Sequence, residues 1–145
     1  MLMRRLFFSL LLLSLVALFS GACTAVDDAA ADLEDKDWVL ESLGEKGNPQ
    51  AVLEGTTVTA RFDSAGQRVQ GSAGCNSYFG DYEVDGNDIS FSAIGNTEMY
   101  CMEPEGVMDQ ETDYLTILRD SQSFKVTDGK LEITAGDQVL VFQED

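Results

Sequence analysis

Residues 71–101 read GSAGCNSYFGDYEVDGNDISFSAIGNTEMYC, and the fold turns on how they are interpreted. A glycine-rich bend around Gly74, Cys75 and Asn76 opens the stretch, and a strand-like run over 78–84 follows it. Asp85, Gly86, Asn87 and Asp88 are residue types that tight turns favour, and 89–93 runs back as a second strand. Tyr82 and Val84 are expected to face the same side as Ile89 and Phe91. With a cysteine at each end, the stretch predicts a β-meander.

Outward from there the pattern stays mostly β. Toward the C-terminus, 103–120 is the one clear helical segment. Pro104 suits its first turn, where the missing N–H costs nothing. Met108, Glu111 or Thr112, Leu115 and Leu118 form its inner stripe. Strands are expected over 123–127, 130–134 and 138–143, and Asp128-Gly129 is a two-residue hairpin signal. Val139 to Phe142 are apolar on both faces, which suits a central or closing strand. Toward the N-terminus, 37–43 reads as a strand with Trp38 and Leu40 on one face, and 44–49 as a loop. Residues 57–62 alternate, with Val58, Ala60 and Phe62 on one side, and 68–70 is a short return strand. Seven or eight short strands and one helix predict an α+β, mostly β domain over 36–145. Its architecture is a small antiparallel β-barrel or strongly curled sheet.

The first 22 residues read as an export signal. Arg4 and Arg5 form a basic start, and 6–19 is a nearly unbroken apolar run, shorter than the roughly 20 residues of a spanning helix. Ser20, Gly21 and Ala22 precede Cys23, which resembles the lipobox of bacterial lipoproteins, with Ser20 where that pattern usually has leucine. By that resemblance the chain is cleaved before Cys23 and its sulfur acylated with chains such as palmitate. Buried methylenes then hold it to the membrane at roughly 0.8 kcal/mol each. Ordinary cleavage after Ala22, or an uncleaved anchor, are the alternatives. Thr24, rather than Asp, after the cysteine implies the outer membrane if the host is Gram-negative. Residues 23–35 are small and acidic and read as a flexible tether, with a reach of about 20 Å.

Charge narrows the partners. The 145 residues carry 26 acidic and 9 basic side chains, a net −17. Such a surface repels nucleic acid and anionic lipid alike. Chemistry is narrowed by the absence of histidine, which removes Ser-His-Asp, Cys-His and His-based zinc arrangements. No P-loop or dinucleotide fingerprint is present. Ser-Lys or carboxylate-pair chemistry stays open, although no placement favours it. With Cys23 lipidated, Cys75 and Cys101 remain as an even pair in an exported protein, which reads first as a disulfide. A redox-active or metal-binding pair is the alternative. Met99, Met102 and Met108 near Cys101 could ligate Cu(I), but are read as core filling. Asp81, Asp85, Asn87 and Asp88 lack the full calcium-loop pattern and are read as turn residues. Asn76 is expected to bond the backbone of its own bend.

Gly71, Gly74-Cys75-Asn76, Tyr78, Gly80 and Tyr82 resemble the first block of the META domain. Thr97, Met99 and Cys101 resemble its second block, and Glu111, Tyr114, Leu115 and Leu118 its helix. Trp38-Val39-Leu40 and Leu131 with Leu140 to Phe142 resemble its opening and closing strands. With the leader, the chain is similar to HslJ-type heat-shock lipoproteins. The resemblance implies a β-rich domain without established catalytic activity, associated with heat induction and novobiocin tolerance. Gly71, Gly74, Asn76, Thr97 and Met99 then count as structural motif residues, with no metal and no cofactor. The expectation is a monomeric, non-enzymatic envelope lipoprotein that faces the periplasm or exterior and binds a protein or small ligand under stress. A protease inhibitor using 44–53 as a protruding bait loop, or a metal-binding protein, are the competing readings.

Overall fold

The computed structural model describes residues 27–145; the expected leader and Cys23 lie outside the described residues. Nine antiparallel strands and two helices follow in the order α1 (Asp27–Leu33), β1 (Asp37–Glu45), β2 (Gln50–Ala51), β3 (Thr59–Asp63), β4 (Arg68–Ser72), β5 (Ser77–Asp85), β6 (Asp88–Asn96), α2 (Val107–Arg119), β7 (Ser123–Thr127), β8 (Lys130–Ala135) and β9 (Gln138–Glu144). The fold is the expected curled sheet, with one more short strand and one more helix than the sequence pattern suggested.

Strand neighbours run β2-β1-β3-β4-β5-β6-β7-β8-β9, and β9 then pairs with β1. The sheet therefore curls until its ends meet. Seven residue pairs from Trp38↔Glu144 to Glu45↔Gln138 make that closure. It explains why Val139, Leu140 and Phe142 are all buried: β9 has strands on both edges and core beneath it. The weakest link is β6 to β7, joined by the single pair Asp88↔Ser123.

Two bulges reset the side-chain alternation, since an extra residue shifts the phase of a period-two pattern. In β1 the register with β9 shifts between Leu40 and Ser42, so Trp38, Leu40 and Leu43 all reach the core. In the β5–β6 hairpin the shift falls between Phe79 and Asp81, opposite Ala93, whose φ is 52°. Both two-residue turns form where expected, Asp85↔Asp88 around Gly86 and Thr127↔Lys130 around Asp128 and Gly129. Asp128 and Gly129 both have positive φ, at 53° and 75°, as a mirror-image hairpin turn requires.

Helix α2 lays Val107, Gln110, Glu111, Tyr114, Leu115, Ile117 and Leu118 against the sheet. Of the expected stripe, Glu111, Leu115 and Leu118 are buried, Met108 is half-buried and Thr112 is exposed. The helix starts at Val107, behind Gly106 (φ 89°), so Pro104 precedes it rather than occupying its first turn. Around Tyr114 the core is aromatic: its ring meets Tyr78 edge-on at 5.5 Å and Phe142 at 6.4 Å.

The stretch before β1 is a correction. Residues 23–35 were expected to be tether, yet Asp27–Leu33 is helical and Leu33 is fully buried. Three consecutive alanines favour the helix, and the Trp38 indole N–H donates to the Leu33 carbonyl at 2.9 Å, satisfying a terminal group. Tyr82 donates its hydroxyl to Glu34 at 2.6 Å, and the Asp35 N–H bonds the Phe62 carbonyl at 2.8 Å. The packed domain thus begins before residue 36.

The expected loop at 44–53 is also more ordered than a free bait. Its far side forms β2 on the edge of β1. Leu53 donates its N–H to Gln110 Oε1 at 2.7 Å, and Gln110 Nε2 donates to Thr56 at 3.1 Å.

Candidate functional site

The motif residues converge at one end of the sheet, where the β4–β5 bend meets the loop after β6 and the start of α2. Gly71 is required there by space: a Cβ would lie 2.0 Å from the Thr59 carbonyl oxygen. Gly74 is required by backbone, with φ at 113°. Cys75 and Cys101 form a disulfide with Cα atoms 5.9 Å apart, joining the bend to the loop as one of the two sequence readings held.

Asn76 is 2% exposed and uses its whole hydrogen-bonding capacity. Its Oδ1 accepts from Thr97 Oγ1 and from the Met99 N–H, both at 2.7 Å. Its Nδ2 donates to the Met99 carbonyl at 3.0 Å and to Glu111 Oε1 at 2.6 Å. Holding both backbone groups of Met99 is what a neighbouring strand would do. Asn76 therefore bonds the opposite loop, not its own bend as expected. Thr97 Oγ1 also accepts from the Ser77 N–H at 3.2 Å.

Glu111 is the residue that sequence reasoning missed as a partner. It is 4% exposed, and its Oε2 accepts from the backbone N–H of Asn76 at 2.6 Å and of Cys75 at 3.1 Å. Three N–H donors meet one buried carboxylate, which is how such a charge is tolerated without a cation. A carboxylate on an otherwise apolar helix stripe was the available signal. Below it, Tyr78 donates to the Thr59 carbonyl at 3.0 Å, so Tyr114 donates to Tyr78 at 2.7 Å. Burial first, and then this pairing, hold the Tyr114 phenol well above its ordinary range; burial raises Tyr78 as well.

This arrangement is a clip: every buried polar side-chain atom in it has a hydrogen-bond partner. What it holds up is a loop whose side chains point outward. Met99 is 57% exposed, Tyr100 80% and Met102 81%. Met99 and Met102 were expected in the core but are exposed on this loop, whereas Met108 is half-buried, with its sulfur accepting the Cys101 N–H at 3.4 Å. Asp81 pairs with Arg68, and Asn87 donates to the Phe124 carbonyl, so these two residues of the β5–β6 hairpin have structural partners. Among the described residues no group of three or more histidine, cysteine or carboxylate side chains is placed to hold a metal ion.

Residues 31–145 match the META domain family. A protein from Burkholderia xenovorans, solved by NMR, superposes with a TM-score of 0.66 at 26% identity, over 91% of this chain and 97% of its own. A second NMR structure aligns at a TM-score of 0.60 and 20% identity, over 78% and 92%. A DUF4847 family protein from Bacteroides vulgatus aligns at 0.56 and 12%, over 78% and 94%. The last two share the fold alone. No curated protein matches the chain.

Proposed function

Taking as premise that this chain belongs to the META domain family, we propose that it is a non-enzymatic envelope lipoprotein whose domain binds another protein in stress response. One observation supports binding above the rest: Met99, Tyr100 and Met102 are exposed on a loop fixed by a disulfide and by Asn76. Exposed apolar side chains on a fixed frame are the usual make-up of a recognition surface. Aromatic and methionine side chains are enriched at such surfaces, and fixing the loop beforehand reduces the entropy lost on binding. The envelope location rests on the leader and on Cys23; the stress role rests on the likeness to HslJ-type proteins. Mass spectrometry of the mature chain tests the first part, with cleavage before Cys23 and added acyl mass as the expected result. Pull-down from heat- or novobiocin-stressed envelopes tests the second. The expected result is a protein captured by the wild-type chain and lost with Tyr100→Ser, and capture indifferent to that loop would remove the reading.

A further inference from the structure

The sheet is open between β6 and β7, and of the two strands flanking that gap β6 leaves the longer unpaired edge. β6 pairs with β5 along its length, but on its other side only Asp88 is matched, by Ser123 of β7. Two backbone bonds make that contact, from the Phe124 N–H to the Asn87 carbonyl at 2.8 Å and from the Ile89 N–H to the Gln122 carbonyl at 3.1 Å. Among the described residues, no strand pairs with the outer edge of β6 from Ser90 to Asn96.

Sheet edges are ordinarily blunted by lysine, proline or inward charge, because unpaired N–H and C=O groups recruit another chain. This edge reads SFSAIGN and carries none of these; its one irregularity is the bulge at Ala93, and α2 is the element that packs near β6. Phe91 and Ile94 are only partly buried along it. The four exposed large apolar side chains among the described residues, Phe79, Met99, Tyr100 and Met102, all lie on β5 or on the loop that continues β6. The Phe79 ring lies over Gly95, 3.2 Å from where a Cβ would sit.

Charge selects the occupant. From 69 to 118 the chain carries ten carboxylates and no lysine or arginine, although the protein as a whole has nine. That segment, flanked by Arg68 and Arg119, makes β5, β6, the loop and α2 up to Leu118. On the outer face of the hairpin Glu83 stands opposite Ser90, and Asp81 opposite Ser92. A strand added to β6 would carry its outward side chains next to these serines, about 10 Å from the two carboxylates. Asp81 already pairs with Arg68, so Glu83, which has no ion-pair partner among the described residues, is the carboxylate toward which a lysine or arginine there would reach. Its inward side chains would lie beside Phe91 and Ile94. A second copy of this chain would bring the same uncharged edge and the same excess of negative charge, and is disfavoured.

We infer that the open edge of β6 receives an extended segment of a partner polypeptide in which apolar residues alternate with lysine or arginine. Backbone pairing supplies the register, and the carboxylates select the cationic partner. This rests on the protein-binding reading above and extends its surface from the 99–102 loop back along β6.

The test titrates the full chain with three synthetic peptides: one alternating valine and lysine, one alternating valine and glutamate, and the lysine peptide N-methylated at alternate backbone nitrogens. The lysine peptide is expected to shift the amide resonances of 90–96 and to bind at least about tenfold more weakly as salt rises to physiological strength. The glutamate and N-methylated peptides, and the lysine peptide against Ser92→Lys, are expected to lose at least about tenfold in affinity. Equal binding by the N-methylated peptide would reduce the interaction to charge adhesion and overturn the inference. So would shifts confined to other surfaces, or self-association through 90–96. Shifts confined to 99–102 would discard the edge while leaving the protein-binding reading intact; that reading falls by the stressed-envelope pull-down.

Discussion

Glu111 and Asn76, far apart in sequence, meet through two hydrogen bonds of 2.6 Å, one from the Asn76 backbone N–H and one from its side-chain amide. Because Asn76 also holds Met99, the helix, the bend and the exposed loop are joined through one amide and one carboxylate. Glu111→Gln would turn an N–H toward a donor it now accepts from. It is expected to lower stability by about 2–3 kcal/mol, the usual cost of leaving a charge-assisted buried contact unmade. Urea unfolding would read this as a lower midpoint at unchanged slope.

The disulfide constrains the same loop. Its cysteines are 26 residues apart. On the chain-entropy account, replacing both by serine should cost about 3.5 kcal/mol. Thermal unfolding with and without reductant checks this, and the double serine variant should be insensitive to reductant.

Space and backbone conformation make separable demands on glycine. Gly71→Ala would drive a methyl group into the Thr59 carbonyl, 2.0 Å away, and is expected to cost about 2–4 kcal/mol. Gly86→Ala meets no atom within 4 Å but keeps φ at 62°, so its cost should be about 1–2 kcal/mol. Chemical unfolding of the two variants side by side gives the order.

Alkaline pH should unfold the protein through its phenols. Burial raises Tyr78, Tyr82 and Tyr114 well above their ordinary value of 10.0, and for Tyr82 the neighbouring Glu34 adds to it. The folded state therefore holds these protons more tightly than the unfolded chain. That stability is complete below about pH 10 and is lost progressively above it. A pH titration should show the tyrosinate absorbance of these three residues rising together with loss of circular dichroism, not before it. At the acid end the sign reverses for Asp35, whose carboxylate accepts from the Ser64 hydroxyl at 2.6 Å and is held below its usual range. Its contribution is lost as pH falls below the carboxylate range, and Ser64→Ala should remove that part of the acid dependence.

The exposed loop should be dispensable for folding. Tyr100→Ser and Met102→Ser remove side chains that are mostly in solvent, so stability should change by no more than about 0.5 kcal/mol. On the protein-binding reading proposed above, capture from stressed envelopes should fall sharply, and calorimetric unfolding beside a binding assay separates the two effects.

The strands were legible because alternation and turn residues are local signals. Val58, Ala60 and Phe62 face inward as their spacing says, and Asp128-Gly129 turns as its composition says. Bulges shift that spacing, and nothing local marks Glu41 or Ala93 as the place. The first helix was missed because small acidic residues suit a tether as well as a short helix. What decides between them is Leu33 entering the core beneath Trp38, a tertiary event. The methionines were misplaced for the same reason: composition says apolar, and only the course of the loop says exposed. Of the candidate site, the cysteines and glycines could be read from the sequence, whereas the partnership of Glu111 with Asn76 could not, since it joins distant residues through space.

The pairing of Trp38 with Glu144 has a consequence for the order of synthesis. The strand that leaves the ribosome first must wait with one side unmatched until the strand made about a hundred residues later arrives. Until then the sheet cannot close, and the interior that shelters Trp38 stays incomplete.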